Sequence, residues 1–304
     1  MRDDSMDAAF MKYPDLQDYL NEFTQCITSK VDTQSIVLFG GITLDDFSVK
    51  YSDIDLVVIL KSGLQKSKHR IIEQLIAGLM KRNPVYNELL YVYFIPNFMI
   101  DSPSIEFGMH DGLICGNGRM RPISRYPLSI TDDFSIREKG RTLFGEDLKR
   151  NFPEPPKDCF WKMFINSLPY VEEASKNHPL QFRNRHNDHT TISLLLYFPR
   201  FLFSLFQNDL IGKSDSAYWF REKYGGPLGN FIVELARCRQ DNSSVQNNDE
   251  LVFNARQLVL FTLDRILEFK GVAADLSSLV SIDSREIDFQ PVFTEFKRLL
   301  KLES

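Results

Sequence analysis

Two aspartates, Asp53 and Asp55, stand two positions apart at the start of the apolar run IDLVVIL. Burying an unpaired carboxylate costs several kcal/mol, roughly, so the chain must supply these two with a partner. In a strand, side chains at i and i+2 share a face, so both carboxylates project together while Ile54 and Leu56 pack on the other side. Such a pair suits a hard divalent cation: Mg²⁺ takes one or two carboxylates and completes its octahedron with water and substrate phosphates. Upstream, Gly40 and Gly41 close the run SIVLF. Without side chains there, a phosphate can approach the backbone amides. The stretch from 35 to 60 therefore offers amides for a triphosphate and carboxylates for its metal. The plainer alternative has Asp53 capping the turn and Asp55 on an exposed edge.

The elements that position these residues follow from periodicity. LQDYLNEFTQCI spaces Leu16, Tyr19, Leu20, Phe23 and Ile27 as one helical face. SIVLF and DIDLVVIL read as strands, QKSKHRIIEQLIAGLMKR as an amphipathic helix, and ELLYVYFIP as a third strand ending at Pro96. From 101 to 145 the pattern is weak, with turn signals such as CGNG. RNFPEPPK, with three prolines, reads as a linker between residues 1–150 and 157–304. Beyond it, helical period dominates over about 159–175, 190–208, 214–224, 228–240, 248–270 and 288–302. Pro199, inside the second of these, is expected to remove a helix hydrogen bond and kink that helix. The fold class expected is α+β: a small mixed sheet with helices, followed by an all-α bundle.

Composition bounds the function. The chain has 304 residues, 43 % hydrophobic and 25 % charged, with 36 Lys and Arg against 41 Asp and Glu and a formal charge of −5. That balance disfavours a protein that grips nucleic acid by bulk charge. Four scattered cysteines and five histidines show no zinc spacing. The acidic opening MRDDSMDAAF is not a signal peptide, and Pro199 and Arg200 interrupt the longest apolar run, so no membrane span is expected. A cytoplasmic location is the expectation.

The ordered set of strand, Gly-Gly, loop and SDID entering a strand resembles the signature of the DNA polymerase β-like nucleotidyltransferase superfamily. There a third acid commonly lies on the following strand, and here ELLYVYFIP offers only Glu88, with Tyr91 or Tyr93 as other candidates for the inward position. In the second half, PRFLFSLFQNDLIGKSDSAYWF resembles the C-terminal domain of streptomycin/spectinomycin-type aminoglycoside adenylyltransferases through Arg200, Lys213, Ala217 and Trp219. REKGRTLFGEDL and IEFGMH resemble further segments of that family, so the likeness runs roughly from Asp15 to Gln240. Arg200 lies in an apolar run and needs either a phosphate or a buried carboxylate as partner. Lys213 precedes a new helix and is either a phosphate ligand or a solvated loop lysine; Trp219 is expected to pack in the core.

The resemblance implies Mg²⁺-dependent transfer of AMP from ATP to a hydroxyl of a small acceptor such as an aminoglycoside. Asp53 and Asp55 would hold two Mg²⁺ ions and Glu88 would be the general base. Gly40, Gly41, Ser52, Arg200 and Lys213 would contact the nucleotide. Three departures stand out, the first at a phosphate contact and the other two on the acceptor side. Gly41 replaces the family's serine, His110 or Met109 stands near its drug-contacting tryptophan, and His186, Asp188 and His189 stand where its other acceptor contacts lie. The alternatives are a protein or RNA acceptor, or a degenerate nucleotide-binding module.

Overall fold

A computed structural model describes residues 5–106, 108, 111–116, 119–176, 192–245, 249–272, 276–279 and 290–302. The chain divides into two compact units, Met1–Cys159 and Phe160–Ser304.

Unit 1 opens with α1 (Ser5–Lys12) and α2 (Pro14–Thr28). Proline at the first turn of α2 is preset for helical φ and sacrifices no intrahelical bond. The helix buries the expected Leu16, Tyr19, Leu20, Phe23 and Ile27, each worth roughly 1.5–3 kcal/mol. The strands are β1 (Thr33–Phe39), β2 (Ile54–Leu60), β3 (Leu90–Pro96), β4 (Gly112–Gly116), β5 (Arg119–Ile123) and β6 (Arg141–Gly145). They form one mixed sheet in the order β5-β4-β3-β2-β1-β6, in which only β2 and β3 are parallel. The parallel pair needs a crossover. It is made by α3 (Lys66–Arg82) and the short α4 (Pro84–Glu88). Two further helices, α5 (Asn97–Asp101) and α6 (Ile130–Lys139), complete the unit.

Strand alternation sorts the core into two layers. Ile36, Leu38, Ile54, Leu56 and Val58 pack with α2 and α3 residues such as Phe23 and Ile72. Val37, Phe39, Val57, Ile59 and Ile95 pack on the other face with Ile136 of α6, Leu128 and Phe152. Phe152 lies in the segment expected to be a linker, yet it is buried, and the Arg137 guanidinium donates to the carbonyls of Arg150 and Phe152 at 2.6 and 2.5 Å. The whole of that segment lies within unit 1.

Unit 2 is helical, as expected: α7 (Cys159–Lys176, which begins at the unit boundary), α8 (Tyr197–Gln207), α9 (Lys213–Tyr224), α10 (Gly226–Gln240), α11 (Asp249–Phe269) and α12 (Gln290–Leu299). The continuous helix expected over 190–208 is corrected. A helical turn at 192–195 ends at Leu196, and α8 starts afresh at Tyr197. Leu196 keeps right-handed helical φ and ψ between the two stretches, and Pro199, the third residue of α8, has no N–H to offer Leu195 O, which interrupts the helix as expected of a proline. Among the described residues no helix is long and apolar enough to cross a membrane.

Candidate active site

The site is built where β1 ends and β2 begins. Antiparallel pairing sets Phe39 opposite Asp55, so the chain must turn at Gly40 right beside that carboxylate. Gly40 does so at φ +76, a left-handed conformation that side chains rarely adopt. A Cβ there would lie 2.2 Å from Asp55 Oδ2. The backbone thus approaches the carboxylate more closely than any other residue type permits. Gly41 follows at φ −58 and leads into a single turn of 3₁₀ helix over Ile42–Leu44.

The loop that returns to β2 is held by its own polar groups. Asp46 N–H donates to Gly41 O at 2.9 Å, Ser48 N–H donates to Ser52 Oγ at 3.0 Å, and Ser52 Oγ donates to Asp46 O at 3.3 Å. Ser52 is 5 % exposed. Its hydroxyl ties the loop together and thereby places the next residue, Asp53.

Asp55 is half-buried and Asp53 exposed. Asp55 keeps phase with Val57 and Ile59, so it lies on the sheet face covered by α6. Among the described residues no group of three His, Cys, Asp or Glu side chains converges to hold a metal. A cation would be bound here by the Asp53–Asp55 pair, with water and phosphate completing its shell, which is the habit of Mg²⁺.

The parallel register sets Tyr91 opposite Asp55 and Leu90 opposite Ile54. Glu88 is the exposed last residue of α4, ahead of the strand, and Leu89 O accepts from Ile54 N at 2.8 Å. The expected third acid is therefore not on β3, and the station beside Asp55 belongs to a tyrosine. Tyr91 and Tyr93 stack at 5.2 Å, and Phe39 stands 6.3 Å from Tyr93. Gly116 of β4 makes room for Tyr91, since a Cβ there would lie 2.3 Å from the ring. Burial, then the charge of Asp132 and the nearby Tyr91 and Asp55, push the Tyr93 phenol well above its ordinary range. It is a neutral hydrogen-bonding group at physiological pH.

Helix α6 roofs this face. Ser129 and Asp132 cap it reciprocally, with Asp132 N donating to Ser129 Oγ at 3.2 Å and Ser129 N donating to Asp132 Oδ2 at 2.9 Å. From it, the buried Ser135 Oγ accepts the Gly40 N–H at 3.3 Å. Asp133 on the same helix is buried against the Tyr126 hydroxyl, and burial raises its pKa to about 7. Neither α6 nor Ser135 was anticipated as part of the site, although the S-x-x-D step at 129–132 is a helix-start signal.

In unit 2, Arg200 is a half-buried residue of α8, and Lys213, also half-buried, is the first residue of α9, after Gly212. Trp219 is half-buried, edge-on to Phe203 at 5.4 Å, with Lys223 Nζ 5.0 Å from its ring. Of the expected acceptor-side residues, Met109, His110, His186, Asp188 and His189 lie outside the described residues.

Residues 20–100 match the family described as "Nucleotidyltransferase domain". No curated protein matches the chain. Among solved structures, the chain is similar to spectinomycin adenyltransferase AAD(9) from Enterococcus faecialis with ATP and spectinomycin. Identity is 14 % and the TM-score is 0.59, over 80 % of this chain and 97 % of that one. Residues 20–100 thus resemble a nucleotidyltransferase domain in sequence, and the fold resembles that of the spectinomycin adenyltransferase.

Proposed function

We propose that the protein transfers AMP from ATP to a hydroxyl of a small acceptor, in the manner of an aminoglycoside adenylyltransferase, with Mg²⁺ as cofactor. The observation that carries this is the close approach of Gly40 to Asp55, which puts turn amides and a carboxylate at one point. Support for ATP and an aminoglycoside-like acceptor comes from the ligands of the similar spectinomycin adenyltransferase. A cytoplasmic location, where Mg-ATP is abundant, goes with this reading.

In the reaction the acceptor oxygen bonds to the α-phosphorus, the bond from that phosphorus to the β-phosphate oxygen breaks, and pyrophosphate leaves. Asp53 and Asp55 would hold the cations, two in number. When bound, Mg²⁺ neutralises phosphate charge and acidifies the acceptor hydroxyl. With the Gly40 N–H held by Ser135 Oγ, the Gly41 side of the turn seats the phosphates on the backbone, and Ser52 contributes by fixing the loop that presents Asp53. Arg200 and Lys213 are assigned to the charge that grows on the β- and γ-phosphates. Glu88 is assigned the acceptor proton.

The test is pyrophosphate release from Mg-ATP across spectinomycin, streptomycin and related hydroxylated compounds, beside an Asp53→Ala/Asp55→Ala control. Acceptor-dependent release that vanishes in the control is expected. Metal-dependent ATP binding without release for any compound would move the acceptor to another class.

A further inference from the structure

The Gly40–Gly41 turn has no side chain of its own with which to hold a phosphate. Thr43 Oγ1 donates to the Gly40 carbonyl at 3.1 Å, and a second hydroxyl reaches the turn from α6. Ser135 Oγ lies 3.3 Å from the Gly40 amide nitrogen and accepts its hydrogen. Ser135 is 4 % exposed, and its position is fixed on both sides. Ile136, the next residue, is buried among Val37, Phe39 and Val57, and the Ser129–Asp132 box sets where the helix begins. A hydroxyl carries one proton and two lone pairs. Here a lone pair receives the Gly40 N–H, while among the described residues the Ser135 proton is donated to no atom. Accepting from an amide polarises an O–H and makes it a stronger donor. The amide it accepts from belongs to the Gly40 turn, so an anion bound on that turn is a recipient within its reach.

We propose that Ser135 donates its hydroxyl proton to a phosphate of the nucleotide bound on the Gly40 turn, supplying from α6 the side-chain donor that the turn lacks. The proposal rests on the nucleotidyltransferase reading of the site and adds a binding residue to it. An O–H to a phosphate oxygen is a charge-assisted bond, shorter and stronger than a neutral one. The contact is to phosphate alone, so it is indifferent to the base of the nucleotide.

The experiment measures calorimetric binding of Mg-ATP and of Mg-tripolyphosphate to the full chain. The proteins compared are wild type, Ser135→Ala, Gly41→Ser and the double variant, with melting temperatures recorded for each. Ser135→Ala should weaken both ligands by roughly tenfold to a hundredfold, the worth of a hydrogen bond to a charged group. Gly41 has φ −58, and a Cβ there would meet Asp46 O at a tight 3.3 Å, so a serine at this position can restore a donor to the turn. Recovery of most of the lost affinity in the double variant is the expected result. Unchanged binding by a folded Ser135→Ala protein overturns the proposal. So does a loss that Gly41→Ser fails to restore and that a fall in melting temperature accompanies, because the hydroxyl would then only hold the turn. Failure of the wild type to bind either ligand is a different result: it removes the nucleotide site, and this inference falls with it.

Discussion

Gly40 and Asp55 occupy space that only one arrangement allows: a Cβ on the glycine would lie 2.2 Å from Asp55 Oδ2, at a φ of +76. Replacing Gly40 by alanine therefore combines backbone strain of about 1–2 kcal/mol with displacement of the carboxylate. Gly40→Ala should lower the melting temperature and cut the rate of pyrophosphate release by more than roughly a hundredfold, since misplacing a reacting group by about an ångström costs that much. Gly41→Ala, at an ordinary φ, should cost far less. Equal activities for the two variants would refute the link between turn and carboxylate.

Asp53→Asn and Asp55→Asn should each nearly abolish turnover while leaving the fold intact. Asp53 is exposed and Asp55 half-buried, so neither change leaves a cavity. Isothermal binding of Mn²⁺, as a stand-in for Mg²⁺, should weaken in both variants. A variant that keeps normal kcat at saturating metal would remove its aspartate from the metal pair.

Glu88 is the assignment most exposed to refutation, because it ends α4 while Tyr91 faces Asp55. As general base, Glu88→Gln should lower kcat by roughly 10²–10⁴-fold, leave KM for ATP unchanged and erase the acidic limb of the pH profile. If Glu88→Gln is silent and Tyr91→Phe is not, the tyrosine station governs the acceptor's proton.

Asp133 provides a pH test of stability apart from the reaction. Burial raises its folded pKa to about 7, well above the ordinary value of about 3.9 in an unfolded chain. The folded state thus binds the proton more tightly than the unfolded state. Its contribution to stability is full below pH 4, declines as pH rises to 7, and is flat above. Asp133→Asn should remove this slope, so its stability relative to wild type should climb across pH 4–7 by an amount on the order of a few kcal/mol. Urea denaturation at pH 4.5, 6 and 8 measures it, and a pH-independent difference would show that Asp133 does not titrate in that window.

Arg200→Ala and Lys213→Ala should raise KM for Mg-ATP more than they lower kcat, by roughly tenfold or more each, with the acceptor's KM little affected. Initial-rate kinetics at varied ATP decide this. Unchanged ATP kinetics would leave Arg200 and Lys213 as structural residues of the helical unit.

The aspartate pair and the glycines were legible because they interrupt an apolar run, and such interruptions have few structural uses. The first three strands and most helices were legible for the complementary reason, since Leu16, Tyr19, Leu20 and Phe23 or Val57 and Ile59 repeat with the period of the buried face. What stayed hidden lacks that signal. β5 (RMRPI) and β6 (RTLFG) are edge strands with mostly exposed or half-exposed side chains, so alternation carries no contrast. Helix α6 (ITDDFSIREK) is polar, buries only part of one face, and betrays itself through its cap alone. Glu88 was taken for a strand residue because α4 is five residues long, too short for a helical period to show.

The position of β1 has a consequence for how the protein is made. β1 pairs with β2 on one side and with β6 on the other, and Ser35 Oγ reaches Glu146 O at 2.7 Å across 111 residues of sequence. During synthesis the glycine turn emerges before β6, so the strand bearing it keeps one edge unsatisfied until residue 145 has been made. Until then that edge is a row of unpaired amides and carbonyls, the kind of surface to which other nascent strands adhere. Pairing of β1 with β2 first, and closure of the remaining edge by β6 in a later step, is the order of assembly this topology favours.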